Sequence, residues 1–153
     1  RLEEVENIIA QTKELPADEP ILVMGDFNSL SASDGAHYGK EMLDNMRDRE
    51  KKQTHIRNLN NGNFDYTVLG KLEEAGFKDS YKIFTDEFTA SLPTFKDGKG
   101  NLKKNNEGIP KRIDFIWCNP TAAKRVTKSV ILKNEDTNII SDHYPAYLEI
   151  ILD

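Results

Sequence analysis

Asp26 and Asn28 lie two residues apart, directly after the apolar run Ile21-Leu22-Val23-Met24. In an extended segment, positions i and i+2 project from the same face, so a carboxylate and an amide would share one pocket. Asp114 stands inside Ile113-Asp114-Phe115-Ile116-Trp117. A carboxylate in such a strand is costly unless it is paired or hydrogen-bonded. Asp142-His143 immediately precedes the last apolar stretch, and a histidine is a natural partner for a buried carboxylate. An Asp–His pair fixes the imidazole tautomer and favours the charged ring, which suits binding of a phosphate. The oxygens of Asp26 and Asp142 suit Mg²⁺ or Mn²⁺ rather than zinc, since the chain has only three histidines and one cysteine. Together these groups could hydrolyse a phosphate ester. The metal would polarise the phosphoryl oxygen, a carboxylate would activate or orient water, and amide and imidazole donors would neutralise developing charge.

Several elements must hold these residues. Leu2, Val5, Ile8, Ile9, Thr12 and Leu15 follow a helical period, with Glu3, Glu4 and Glu6 at its start and Pro16 at its end. Ile21 to Met24 reads as a strand buried on both faces, with Asp26 and Asn28 emerging at its carboxyl end, where open α/β sheets bind ligands. Residues 31–63 are polar and read as an insertion near the mouth of the site, a possible lid. Within it, nine of the thirteen residues from Lys40 to Lys52 are charged, with Met42, Leu43 and Met46 on one side. That pattern predicts an exposed helix. A further helix is expected over about 66–75, with Leu69, Leu72 and Ala75 inward and Gly76 as its cap. Ser91 to Phe95, Arg112 to Cys118, Val126 to Leu132 and Tyr144 to Leu152 read as strands, with a loop from Asp97 to Pro110. The class is α/β or α+β with a mixed sheet.

Composition narrows the setting. The 153 residues suffice for one domain with a sizeable core, and the hydrophobic and charged shares of 37% and 31% suit a globular protein. A net charge of -5 argues against a basic nucleic-acid footprint over the whole chain. No apolar run approaches the length of a membrane span. Cys118 is the only cysteine, so it forms no internal disulfide and fits a reducing compartment. Lys103, Lys104, Lys111 and Arg112 form a local basic cluster that could steer a phosphate or simply lie at the surface. His37 and His55 read as solvated.

The segments Pro20-Ile-Leu-Val-Met-Gly-Asp-Phe-Asn28, Arg112-Ile-Asp-Phe-Ile-Trp117 and Ser141-Asp-His143 resemble three successive signatures of the endonuclease/exonuclease/phosphatase superfamily. Pro93-Thr-Phe95 resembles a Thr-aromatic element that precedes the middle one. The resemblance implies half of a four-layered α/β sandwich and a divalent-metal-dependent phosphoesterase. It implies that Asp26 orients or deprotonates the attacking water and that Asn28 hydrogen-bonds the phosphate or that water. It further implies that Asp114 holds His143, that His143 contacts a phosphate oxygen, and that Asp142, with Asp26, binds or orients the metal. A small phosphorylated substrate, such as a sugar phosphate or lipid head group, is expected, with DNA cleavage as the alternative. The family's amino-terminal half supplies an early Asn, a metal-binding Glu and another His, which have no counterpart here. Arg1 resembles the Arg following that His motif. The expectation is a chain that works with a missing amino-terminal half or an associating chain, and one that alone is nearly inactive or serves as a non-catalytic half-domain. Any targeting signal would lie upstream of Arg1, so cytoplasmic and secreted locations both fit.

Overall fold

The computed structural model describes residues 1–53, 55–97, 99–103 and 108–152. The first helix, α1 (Leu2–Thr12), carries Val5 and Ile9 on its buried face, as its period requires. The strand β1 (Leu22–Asp26) follows. A 3₁₀ helix (Ala32–His37) and α2 (Lys40–Lys52) come next, then a two-residue hairpin of β2 (Leu59–Asn60) and β3 (Asn63–Phe64). The third helix, α3 (Thr67–Glu74), ends at Gly76, whose φ of 87° is a left-handed value that glycine adopts without penalty. The Gly76 N–H bonds the Glu73 carbonyl and the Phe77 N–H reaches back to Leu72, which together close the helix end. Leu69 and Leu72 are inward as expected, but Ala75 is exposed because the helix stops at Glu74 and the chain turns away.

The remaining elements are β4 (Lys78–Asp79), a second 3₁₀ turn (Tyr81–Ile83), β5 (Asp114–Cys118), α4 (Pro120–Ala123), β6 (Val126–Ile131), α5 (Thr137–Ile140) and β7 (Ala146–Ile150). One sheet has the order β1-β5-β4 and another pairs β6 with β7. The α/β class is as read from sequence, and every ladder among the described residues is antiparallel.

The layers follow from the alternation in β5. Phe115 and Trp117 point to one face and join Val5, Ile9, Val68, Leu69 and Leu72 of α1 and α3. Cys118 belongs to the other face, with Ala122, Val126, Leu148 and Ile150, which carry β6 and β7. A helix layer, a sheet and a second sheet therefore stack in that order, three layers of an α/β sandwich.

Two strand readings change. β1 is not buried on both faces: only Val23 is buried, and Met24 is 59% exposed. Its sole ladder partner among the described residues is β5, so it is an edge of the sheet, and a continuous apolar run cannot reveal which strand ends a sheet. Ser91 to Phe95 forms only an isolated bridge, Leu92 to Lys111. The Leu92–Pro93 peptide is cis there, and Pro93 has no N–H to extend a ladder. The loop from Asp97 lies partly outside the described residues.

The polar segment 31–63 is more deeply integrated than an added lid. Asp34 is fully buried, and Tyr38 and Met42 pack with Leu30 and Ile113. Arg112, also fully buried, donates from Nε to Asp34 at 2.7 Å and contacts Asp79 at 2.5 Å. Lys82 reaches Asp34 at 3.1 Å. Arg112 is therefore a structural cation that joins three segments, not a phosphate-steering group. Lys104 lies outside the described residues.

Candidate active site

The antiparallel register of β1 and β5 places Asp26 directly opposite Asp114. Burial raises the Asp114 pKa from its ordinary value, and the Asp26 charge facing it across the strands adds to the rise. Burial is the largest cause of that rise, while hydrogen bonding from Ser91 and the proximity of His143 oppose it.

His143 reaches the same spot from the turn after α5. Its Nδ1 lies 2.9 Å from Asp114 Oδ2, with both side chains partly buried. The backbone of this turn is held from two sides. The His143 N–H donates to Ser141 Oγ at 3.2 Å, and the Thr94 N–H donates to the Asp142 carbonyl, also at 3.2 Å. Thr94 Oγ1 donates to the Ser141 carbonyl. Tyr144 donates its N–H to the Ser91 carbonyl at 2.7 Å. Ser91 Oγ in turn accepts from the N–H groups of Ile113 and Asp114 at 3.1 and 3.2 Å. Ser91 thus ties the histidine turn to the aspartate strand. Sequence reading missed it, because a lone serine beside an apolar segment carries no distinguishing pattern.

Asn28 curls back on Asp26. Its backbone N–H and its side-chain amide donate to the two carboxylate oxygens, at 2.8 and 2.9 Å. The residue adopts φ 47°, a left-handed conformation that asparagine tolerates better than most residues. Its carbonyl accepts from the Arg1 guanidinium. Asp26 is therefore oriented by Asn28, and each of its oxygens retains capacity for another partner.

Asp26, Asp114 and His143 each offer a ligand atom, and those atoms lie within 4.8 Å of one another. The two facing carboxylates supply hard oxygen donors and the imidazole a borderline nitrogen, and a divalent cation would relieve the repulsion between the aspartates. Asp142 does not join that cluster, and its carboxylate accepts from Ser141 Oγ at 3.4 Å. Of the residues singled out from sequence, Asp26, Asn28, Asp114 and His143 come together, and Asp142 stands beside them. His37 is exposed and stacks on Phe88 with ring centroids 4.7 Å apart. His55 is exposed and lines a neighbouring pocket.

The family model for the Endonuclease/Exonuclease/phosphatase family matches residues 6–143. The chain belongs to this family. Members of this family are phosphoesterase hydrolases. Solved structures of the same fold include the 3′ phosphatase NExo from Neisseria bound to a product DNA hairpin. That match has 17% identity and a TM-score of 0.59, covering 97% of this chain and 50% of the other. An endonuclease/exonuclease/phosphatase family protein from Leptotrichia buccalis matches with 17% identity and a TM-score of 0.51, covering 97% of this chain and 41% of that one. The chain thus spans half or less of the length of these structures. No curated protein matches it. No helix among the described residues is long and apolar enough to cross a membrane.

Proposed function

We propose that the protein carrying this chain hydrolyses a phosphate ester of a small phosphorylated molecule with the aid of a divalent metal, Mg²⁺ or Mn²⁺. The observation that carries the reading is the meeting of Asp26, Asp114 and His143 at one end of β1 and β5, with the Asp114–His143 pair at 2.9 Å.

Asp26 would hold the metal, with Asp142 beside the site to orient it, and the bound metal would supply a Lewis acid for the phosphoryl oxygen. Asp114 accepts from Nδ1 of His143 and fixes the ring, leaving Nε2 to donate to a phosphate oxygen when the ring is protonated. Asp26, held by Asn28, orients or deprotonates the attacking water. The second N–H of the Asn28 amide is left for the phosphate or that water. The net charge of -5 and a pocket of about 590 Å³ beginning at Asn28 favour a small substrate. DNA is the second reading, supported by the DNA-bound structure of similar fold.

The test is Mg²⁺-dependent hydrolysis across a panel of phosphomonoesters, sphingomyelin and abasic-site DNA, with His143→Ala beside the unaltered protein. Loss of one transition-state donor should lower turnover by at least about a hundredfold. Turnover of the panel's best substrate that persists in His143→Ala would refute the assignment, and a preference for DNA would favour the second reading.

A further inference from the structure

Beside the catalytic cluster, a pocket of about 590 Å³ opens between Asn28, α2, the loop at residues 55–58 and Lys111. Its floor is apolar, formed in part by Leu30, Met42, Met46 and Ile113, while its walls are basic. In a chain of net charge -5, four basic side chains among the described residues line this one pocket: Arg1, Arg49, Arg57 and Lys111.

Among the described residues these side chains form no ion pair, although the Asp26 charge acts on Lys111. The Arg1 guanidinium donates to neutral acceptors: the carbonyls of Asn28 and Arg57, Ser29 Oγ and Asn58 Oδ1. Arg57 donates to the carbonyl of its neighbour Ile56. Arg49 and Lys111 have no ion pair among the described residues. Among the described residues the one carboxylate lining the pocket, Asp65, accepts from the Thr67 N–H and hydroxyl at 2.9 and 2.6 Å, at the start of α3. The Lys111 ammonium is half-buried and is held below its ordinary pKa, first by burial and then by the charge of Arg49, which the Asp26 carboxylate offsets only in part. Two cations held near one another with partial loss of water are unfavourable unless an anion joins them.

We infer that this pocket is a subsite for a second phosphate group of a small substrate, seated between Arg49 and Lys111 while the ester to be cleaved lies at Asp114 and His143. The inference rests on the proposed phosphoesterase reading and adds the charge of the substrate to it. A phosphate suits the site because it accepts from an arginine fork and an ammonium at once. The apolar floor suits the carbon skeleton between the two phosphates. Asn28 belongs to both places, since it orients Asp26 and lines the pocket.

The experiment compares propyl phosphate, propane-1,3-diyl bisphosphate and a short 3′-phosphorylated DNA strand. It measures binding by calorimetry and phosphate release in Mg²⁺ for the full protein and for Arg49→Gln and Lys111→Gln. Both variants should fold. Arg49 is exposed, and Lys111 contributes to its bridge with Leu92 through backbone groups alone. The bisphosphate should bind at least about tenfold more tightly than the monophosphate, since one charged hydrogen bond supplies that factor. Each substitution should remove most of the advantage while leaving propyl phosphate affinity unchanged. Equal affinity for the two small ligands, or a preference that survives both substitutions, would overturn the subsite. DNA that displaces the bisphosphate and depends on Arg49 and Lys111 would overturn its assignment to a small molecule. Release of phosphate from propyl phosphate without discrimination refutes the subsite alone, and discrimination in binding without any hydrolysis refutes the phosphoesterase reading instead.

Discussion

Replacing Arg112 by methionine isolates the buried ion network that underlies the site. The guanidinium is fully buried, donates to Asp34 at 2.7 Å, contacts Asp79 at 2.5 Å, and sits over the rings of Phe115 and Tyr81 at 4.4 and 5.0 Å. Methionine keeps much of the apolar contact but removes the charge. Asp34 would keep Lys82 at 3.1 Å, whereas Asp79 would keep only the Tyr81 N–H, also at 3.1 Å. Breaking one side of a buried pair costs about 3–5 kcal/mol. That is a large part of the roughly 5–15 kcal/mol available to a domain. At about 2–4 °C per kcal/mol for a chain of this size, Tm should fall by about 6–20 °C. Urea unfolding followed by circular dichroism measures the loss through the midpoint, with an unchanged slope showing that the same surface unfolds. Adding Asp79→Asn to Arg112→Met should recover part of the stability, because the orphaned charge is then gone. An Arg112→Met protein within about 1 kcal/mol of the parent, or one further weakened by Asp79→Asn, would refute the reasoning.

Asp114→Asn should lower Mg²⁺-dependent turnover by about 10- to 150-fold, the equivalent of one charged hydrogen bond of about 1.5–3 kcal/mol. Steady-state rates should show that adding His143→Ala costs far less than the product of the two separate losses, because the pair acts as a unit. Cys118, fully buried with its thiol pushed up to about 11 by burial, should resist iodoacetamide at pH 8 in the native protein and react after unfolding, as read by mass spectrometry. Since its folded pKa is raised, the protonated thiol's contribution is complete below the ordinary thiol value and should be lost as pH rises toward 11, which stability measured between pH 8 and 11 would show. Gly76→Ala should cost about 1–2 kcal/mol through its φ of 87° alone, since no atom lies within 4 Å of the added methyl group; thermal unfolding checks this.

The parts of this molecule legible in its sequence are those set by local pattern. The periods of α1, α2 and α3 and the alternation of β5 are properties of neighbouring residues, and Gly76 marks its helix end for a steric reason. Asp26, Asn28, Asp114 and His143 could be singled out because a polar group at the end of an apolar strand is conspicuous. Long-range partnerships were not legible. Nothing near Asp34 signals that it meets Arg112, so the segment around it reads as a peripheral insertion although Asp34, Tyr38 and Met42 are buried. The edge position of β1 depends on which strands pair, and a run of four apolar residues looks the same at an edge as at a centre. The basic pocket escaped because Arg49 lies in a helix of alternating charge and Lys111 beside a strand, and only the fold brings them together.

The pairing of Asp26 with Asp114 also bears on how the chain reaches its native state. Those residues sit at opposite ends of a long intervening stretch, so β1 meets β5 only after the entropy of closing that loop has been overcome. Contacts of such sequence separation slow folding relative to local helices and hairpins. The same ladder pairs Val23 with Trp117, the chain's only tryptophan, which is fully buried between β1 and β4. A single fluorophore is thereby built into the ladder that brings the two carboxylates face to face, and its emission during refolding times the moment at which they meet.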